Sequence, residues 1–254
     1  MCGRFALEAT PDEVLAHFAI IDDLVAFPPR YNIAPTQPVL MVITGERREP
    51  GSNLPDRHAL LVRWGFIPRW AKDPKAMPLL LNARSETAID KPAFRTAMRH
   101  RRALIPATGF YEWHRAGKHS QPYFIRPRGG GIVAFAALME TYAEPGGSEI
   151  DTAAILTTSA NADLAAIHDR MPVVIAREDF ARWLDCRTQE PREIADLMRP
   201  AQPGLFEALP ISTLVNTVSN TGPEIQTPID LAEVTRREPK KHEEPPESAQ
   251  IRLL

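Results

Sequence analysis

Cysteine is nearly missing from this 254-residue chain, which holds only Cys2 and Cys186. Two cysteines build no disulfide framework, which suits a reducing compartment, and no Cys/His cluster has the spacing of a zinc site. No apolar run reaches the ~18 residues that a membrane span needs. The first residues carry no basic region followed by an apolar stretch, so no secretory signal is expected. There is no Gly-rich phosphate loop and no internal repeat. A formal net charge of -2 argues against a protein that coats nucleic acid indiscriminately. Hydrophobic content of 44% and charged content of 24% are ordinary for a soluble globular chain. The length fits one large domain or two small ones.

What is present is unevenly distributed. Between Arg57 and Arg102 the chain carries eleven Lys or Arg against three acids. Such a run is most often a solvated face, and its sharper meaning is a positive surface for phosphates. Thr10-Pro11-Asp12-Glu13 reads as a helix start, with a Thr cap, Pro at the first position and Glu at the third, the helix running to about Phe18. The Pro-rich stretch from Phe27 to Pro38 is expected to be extended or turned. Strands are expected at Val39–Thr44, Ala59–Arg63, Ala103–Pro106, Tyr123–Ile125, Ile132–Leu138, Ala153–Thr158 and Val173–Ile175. Helices are expected at Pro92–Arg101, from Asn161 to about His168, and at Arg177–Leu184 and Arg192–Met198. Strands outnumber helices without alternating with them. This favours an α+β fold, a single domain on a curved, mostly antiparallel, barrel-like sheet with flanking helices. From about Thr235 apolar periodicity ends in Arg, Lys, Glu and Pro, a composition that cannot offset ordering entropy. The expected organisation is a domain over residues 2–234 and a disordered tail over 235–254.

The most informative residue is Cys2, in Met1-Cys2-Gly3-Arg4-Phe5. A small second residue allows removal of the initiator Met, which would make Cys2 the N-terminus. Its α-amine would then titrate at about 8, well below lysine. Its thiol is an intrinsically strong nucleophile. The two can attack one aldehyde carbon in turn, the amine forming a Schiff base and the thiol closing a five-membered thiazolidine. The blander reading of Cys2 is a small buried hydrophobe.

Five further segments are richer in functional residue types than packing requires: Tyr31-Asn32-Ile33-Ala34-Pro35-Thr36, Trp64-Gly65-Phe66-Ile67-Pro68-Arg69-Trp70, Asn82-Ala83-Arg84-Ser85-Glu86, Ile105 through Trp113, and Thr157-Thr158-Ser159-Ala160-Asn161 leading to Ile167-His168-Asp169-Arg170-Met171-Pro172. In this order, behind Cys2-Gly3-Arg4-Phe5, they resemble the SRAP family (SOS-response-associated peptidases) from Cys2 to about Pro228. Val215-Asn216 and Gly222-Pro223-Glu224 belong to the same pattern. Ala103, Ala137 and Met139 depart from it as core variations.

The resemblance implies a sensor of abasic sites in single-stranded DNA that links its N-terminal cysteine covalently to the ring-opened sugar. Carried onto this chain, the nucleophile is Cys2. Asn82 orients its amine, and Glu112 and His168 occupy the acid/base positions. Opening a closed hemiacetal sugar needs proton transfer, for which Glu and His are suited when held near neutrality. Asn fixes an amine without titrating. Arg4, Arg84 and Arg170 suit forked phosphate contacts. Pro35 and Trp70 suit wedging or stacking against bases beside the lesion. Asn32 and Thr157 complete the expected DNA-binding set. No cofactor or metal is required, and the implied protein is a monomer of the bacterial cytoplasm acting at the nucleoid. AP-lyase and Met1-removing peptidase activities belong to the same implication. The alternatives are a thiol peptidase using Cys2 and a non-covalent module for single-stranded DNA. In the tail, Gln250-Ile251-Arg252-Leu253-Leu254 resembles a sliding-clamp-binding pentapeptide on a flexible tether.

Overall fold

A computed structural model of the chain describes residues 2–20, 24, 26–45, 56–117, 119–144 and 146–232. The expected tail over 235–254, with its clamp-like pentapeptide, lies outside the described residues, as does Met1.

The chain opens with β1 (Phe5–Leu7) and α1 (Pro11–Phe18), followed by β2 (Arg30–Ile33), β3 (Pro38–Thr44), β4 (Arg57–Trp64) and β5 (Asn82–Arg84). Two short helices, α2 (Ser85–Ala88) and α3 (Arg95–His100), lead into β6 (Arg102–Ala107) and β7 (Gly109–Ala116). The long strands β8 (His119–Pro127), β9 (Val133–Ala143) and β10 (Glu149–Ser159) follow. Short β11 (Arg170–Pro172) and β12 (Val174–Ile175), helix α4 (Phe180–Leu184) and β13 (Phe206–Pro210) complete the order.

Strands β10, β4, β3, β6 and β9 pair in that order, and β9 pairs back to β10, so five strands close into a barrel. All its ladders are antiparallel except β4 with β10. Closure removes the free sheet edges. A second sheet of five strands, in the order β13-β8-β7-β1-β2, lies alongside. The chain crosses from barrel to sheet where β6 gives way to β7 around Thr108. The main core lies inside the barrel and between the layers, with Phe5, Trp64, Phe110 and Phe135 fully or almost fully buried. Their rings meet edge to face, Phe5 against Trp64 at 5.2 Å and Phe110 against Phe135 at 5.9 Å, the geometry that aromatic quadrupoles favour. The fold is the expected α+β type with a mostly antiparallel, barrel-like core.

Most of the expected elements are present, lengthened by their partners. Helix α1 starts at Pro11 behind a Thr10 cap, with a reciprocal bond between Glu13 and the Thr10 backbone. The segment from Asn161 to His168, expected as a helix, is a series of turns instead. Tertiary bonds compete for it. The Asn161 amide donates to the Ala201 carbonyl at 3.1 Å, and the Asp163 carboxylate accepts from the Gly204 amide at 2.9 Å. Helix α3 begins three residues later than expected, and Arg192–Met198 yields only a 3₁₀ turn over Ala195–Met198.

One member of the basic run is internal. Arg102 is 2% exposed and donates to the carbonyls of Met98, Trp183, Asp185 and Gln189 at 2.6–2.9 Å. A buried guanidinium with all three nitrogens donating ties α3, α4 and the following loop to the barrel. Replacing it as Arg102→Met would strand these carbonyls. We expect a loss of about 3–5 kcal/mol in urea unfolding, and an unchanged midpoint would show that the tie is not structural.

Candidate functional site

The final turn of β10 assembles the site. Over Thr152–Ala153 that strand is flanked by β4 and β9, but β5 takes over on one side from Ile155 and β11 pairs with the strand from Thr157 onward. Asn82 thereby stands opposite Ile155, Arg84 opposite Thr157, and Arg170 opposite Ser159. On the facing sheet, Phe5 pairs with Phe110 and the Tyr111 amide donates to the Arg4 carbonyl at 3.0 Å. The same antiparallel register, continued, sets Glu112 beside the Cys2–Gly3 segment. Alternation along β7 puts Phe110 and Glu112 on one face and Tyr111 on the other. Tyr111 packs in a separate small core with Phe124, Ile211, Val215 and Ile225.

The four expected catalytic residues meet here. Asn82 donates through Nδ2 to the Cys2 carbonyl at 2.9 Å. Its Oδ1 is buried and accepts no hydrogen bond among the described residues. Cys2 is fully buried, its thiol donating weakly to the Arg4 carbonyl at 3.7 Å. Glu112 is 3% exposed, and its Oε2 lies 3.8 Å from Nε2 of His168. The Arg170 amide donates to His168 Nδ1 at 2.9 Å. An accepting Nδ1 assigns the ring proton to Nε2, the nitrogen that faces Glu112. The exposed Asp169 carboxylate lies 2.9 Å from the same Nδ1 and opposes that arrangement, since it favours the charged ring, in which Nδ1 also carries a proton.

Burial is the leading cause of every shift in the cluster. It pushes the Cys2 thiol far up, with the nearby Glu112 charge adding to it. It raises the Glu112 carboxyl to about 7, against the pull of the positive N-terminal amine. It lowers His168, and the same amine lowers it further. The three side chains are thus driven toward their neutral forms, and Glu112 is held where a carboxyl can give or take a proton near pH 7.

The expected DNA-binding residues divide by exposure. Arg84 is exposed at the end of β5, and Trp70 is 59% exposed with its indole donating to the Pro92 carbonyl at 3.5 Å. Pro35 is half-buried in a turn closed by the Gln37 amide on the Ala34 carbonyl. The next residue, Thr36, has φ 70°, a left-handed conformation rarely adopted by β-branched residues. Arg4 is half-buried and uses Nη1 on Asn32 Oδ1 and on the Val215 carbonyl. Asn32 is buried, its amide spent on the carbonyls of Val215, Thr217 and Asn220. Thr157 is fully buried and offers its carbonyl to Arg170 at 2.6 Å.

Two residues of the site were not singled out from sequence. Glu86 forks onto Arg170 with bonds of 2.5 and 2.8 Å and lies two residues beyond Arg84 in the same segment. Trp64 donates its indole N–H to the Leu81 carbonyl at 3.1 Å, next to Asn82. Among the described residues no group of three or more His, Cys, Asp or Glu could hold a metal ion. None of the described helices is long and apolar enough to cross a membrane.

A family model described as SOS response associated peptidase (SRAP) matches residues 1–218. The chain is 38% identical over 228 residues to the abasic site processing protein YoqW of Bacillus subtilis, covering 89% of this chain and 98% of YoqW. It is 35% identical over 237 residues to the abasic site processing protein YedK of Escherichia coli, covering 90% and 100%. It is 32% identical over 227 residues to the abasic site processing protein HMCES of Gallus gallus, covering 80% and 67%. A crystal structure of a protein from Bacteroides thetaiotaomicron superposes with a TM-score of 0.76 at 26% identity, covering 90% of this chain and all of that one.

The raised Glu112 carboxyl carries a stability signature. An ordinary glutamate starts from 4.5 and this one sits at about 7, so its contribution to stability is complete below pH 4.5 and is lost as pH rises through 7. Glu112→Gln escapes that loss. Its unfolding free energy should exceed that of the parent chain at pH 8 by on the order of 3 kcal/mol, and match it at pH 4. A constant difference between the two at every pH would mean that Glu112 does not titrate in this window.

Proposed function

The chain belongs to the SRAP family of SOS response associated peptidases, and on that premise we propose that it processes abasic sites in single-stranded DNA through a covalent link to Cys2. The observation that carries this reading is the buried, unsatisfied Oδ1 of Asn82, whose amide nitrogen already holds the Cys2 carbonyl. While Met1 precedes Cys2, the Cys2 nitrogen is an amide. Once Met1 is removed it is an amine, with protons to give to a waiting acceptor.

The reaction runs in three proton-coupled steps. The sugar hemiacetal opens to its aldehyde as a proton moves to the ring oxygen and another leaves the hydroxyl on C1′. Glu112, held at about 7, is suited to give and take these protons, and His168, whose imidazole burial keeps toward the neutral form, is suited to accept one. The Cys2 amine then adds to the aldehyde carbon, and loss of water leaves a C=N bond. Finally the sulfur adds to that carbon while its proton passes to the nitrogen, closing a thiazolidine. One C–N and one C–S bond form, the carbonyl oxygen leaves as water, and no oxidation state changes. The amine attacks first because burial holds the thiol protonated. The C=N stage also opens a route to β-elimination, hence strand cleavage. Self-removal of Met1 by the Cys2 thiol belongs to the same reading. The protein acts as a monomer at the nucleoid, and Gln250-Ile251-Arg252-Leu253-Leu254 tethers it to the sliding clamp.

Substitution at Cys2 separates the stages. Mixed with a single-stranded oligonucleotide bearing one abasic site, the parent chain should give a heat-stable adduct on a denaturing gel. Cys2→Ser and Cys2→Ala should give only a species that borohydride traps. A heat-stable adduct with Cys2→Ala would refute the thiazolidine. In a companion titration, Arg84→Ala should weaken non-covalent binding and lower the slope of log K against log salt by about 0.7 for each phosphate that is no longer neutralised. An unchanged slope would remove Arg84 from the phosphate-binding residues.

A further inference from the structure

Between β4 and β5 the chain loops out of the barrel wall and returns at the same place. The Phe66 amide bonds to the Leu80 carbonyl at 2.9 Å, an isolated antiparallel bridge. Gly65 makes this close return possible. Its φ is +139°, and a Cβ there would lie 2.7 Å from Cδ1 of Leu79 and 2.9 Å from Nη1 of Arg63. Beneath the loop lies an open cleft, lined by Phe66, Pro68, Met77 and Leu79 with the cations Arg63 and Lys75. No carboxylate lines it among the described residues. The neighbouring Asp73 spends its side chain on the Lys75 amide at 2.9 Å. Leu79 in the lining is 47% exposed, and Trp70, elsewhere on the same loop, is 59% exposed. The exposed Arg69 and Lys72 flank that tryptophan.

Apolar side chains beside cations, with no carboxylate among the described lining residues, suit a nucleotide, with its base against Met77 and the exposed Leu79 and its phosphate on the exposed Lys75 and on the guanidinium nitrogens of Arg63 other than the Nη1 that donates to the Gly65 carbonyl at 2.8 Å. The cleft is open rather than enclosed, so it can admit a residue that is part of a polymer. It also lies close to the reaction site. Leu79 is three residues before Asn82, a span of at most about 11 Å. We infer that this cleft is a second nucleotide site, which takes a nucleotide flanking the lesion on one side of the bound single strand. The inference rests on the reading of the chain as a processor of abasic sites in single-stranded DNA. It assigns part of the positive charge between Arg57 and Arg102 to a defined place on the strand.

The test uses the full chain, with Lys75→Ala to remove an exposed cation and Met77→Trp to fill the cleft. Labelled oligonucleotides carry a tetrahydrofuran abasic analogue, which cannot form the covalent link. They extend by about ten nucleotides on the 5′ side only, on the 3′ side only, or on neither side. Anisotropy titrations should show both variants weakened about fivefold or more on one of the two extended strands and unchanged on the other strand and on the short one. For Lys75→Ala the salt slope on the affected strand should fall by about 0.7. Equal affinities of variant and parent on all three strands would overturn the proposal. So would thymidine monophosphate competing as well as the extended strand, which would mark a site for free nucleotides. Covalent adducts are measured separately with true abasic strands of the same three designs. Adducts without the flank effect would sink the cleft and spare the chemistry. A flank effect without adducts would sink the chemistry and spare the cleft.

Discussion

The indole of Trp64 reaches from the barrel wall to the Leu81 carbonyl at 3.1 Å, and the placement of the site depends on that contact. Trp64 is fully buried, and three chain segments converge on it. Its backbone amide donates to the Gln37 carbonyl, and its own carbonyl accepts from the Thr36 amide, which anchors the Pro35 turn. Its ring meets Phe5 edge-on at 5.2 Å, which seats the start of β1 and with it Cys2. Its N–H holds the strand that carries Asn82. A buried indole without a partner for its N–H would be costly. The donor is satisfied only when Leu81 is in place, and the same residue's backbone and ring hold the Pro35 turn and the start of β1 beside it.

Around this frame the chemistry is set by desolvation. Cys2, Glu112 and His168 are three ionisable groups whose pKa values are each moved toward the neutral side, in every case first by burial. A site of this kind suits a sugar aldehyde, which is uncharged until protons move. Outside this cluster, Arg84 and the loop residues Arg69, Lys72 and Lys75 are exposed, and on the proposed reading their charge is what meets a DNA backbone. The fork between Glu86 and Arg170 lies at the boundary. It pins β11 to the start of α2, so the strand whose amide fixes the His168 tautomer is tied to the segment that carries Asn82 and Arg84.

Much of this was legible in the sequence, and the exceptions have physical causes. Helix α1 was readable because its cap is local, with partners three residues apart in sequence. Strands β3, β4, β6, β9 and β10 announce themselves by apolar runs, and in β6, β9 and β10 both faces are largely covered. Strands β5 and β11 have three residues each and no pattern of their own, and they exist because β10 offers them a ladder. The turns after Asn161 have a helical cap signal, but side-chain bonds to residues near 202 outcompete the helix. Arg102 read as part of a positive stretch, and only the fold reveals that its charge is internal.

By itself the sequence determined which chemistries were available: a thiol next to the start of the chain, an amide in Asn82, a carboxyl in Glu112, an imidazole in His168, and an excess of cations between residues 57 and 102. These are properties of residue types, and the order of the motifs carried the family resemblance. Tertiary structure decided what each group does. Only the exchange of neighbours along β10 brings Asn82, Arg84 and Arg170 together, because parallel and antiparallel partners far apart in sequence meet on one strand. Only burial between barrel and sheet moves a glutamate from 4.5 to about 7. Solvation is a property of a place, and no residue carries its place in its name.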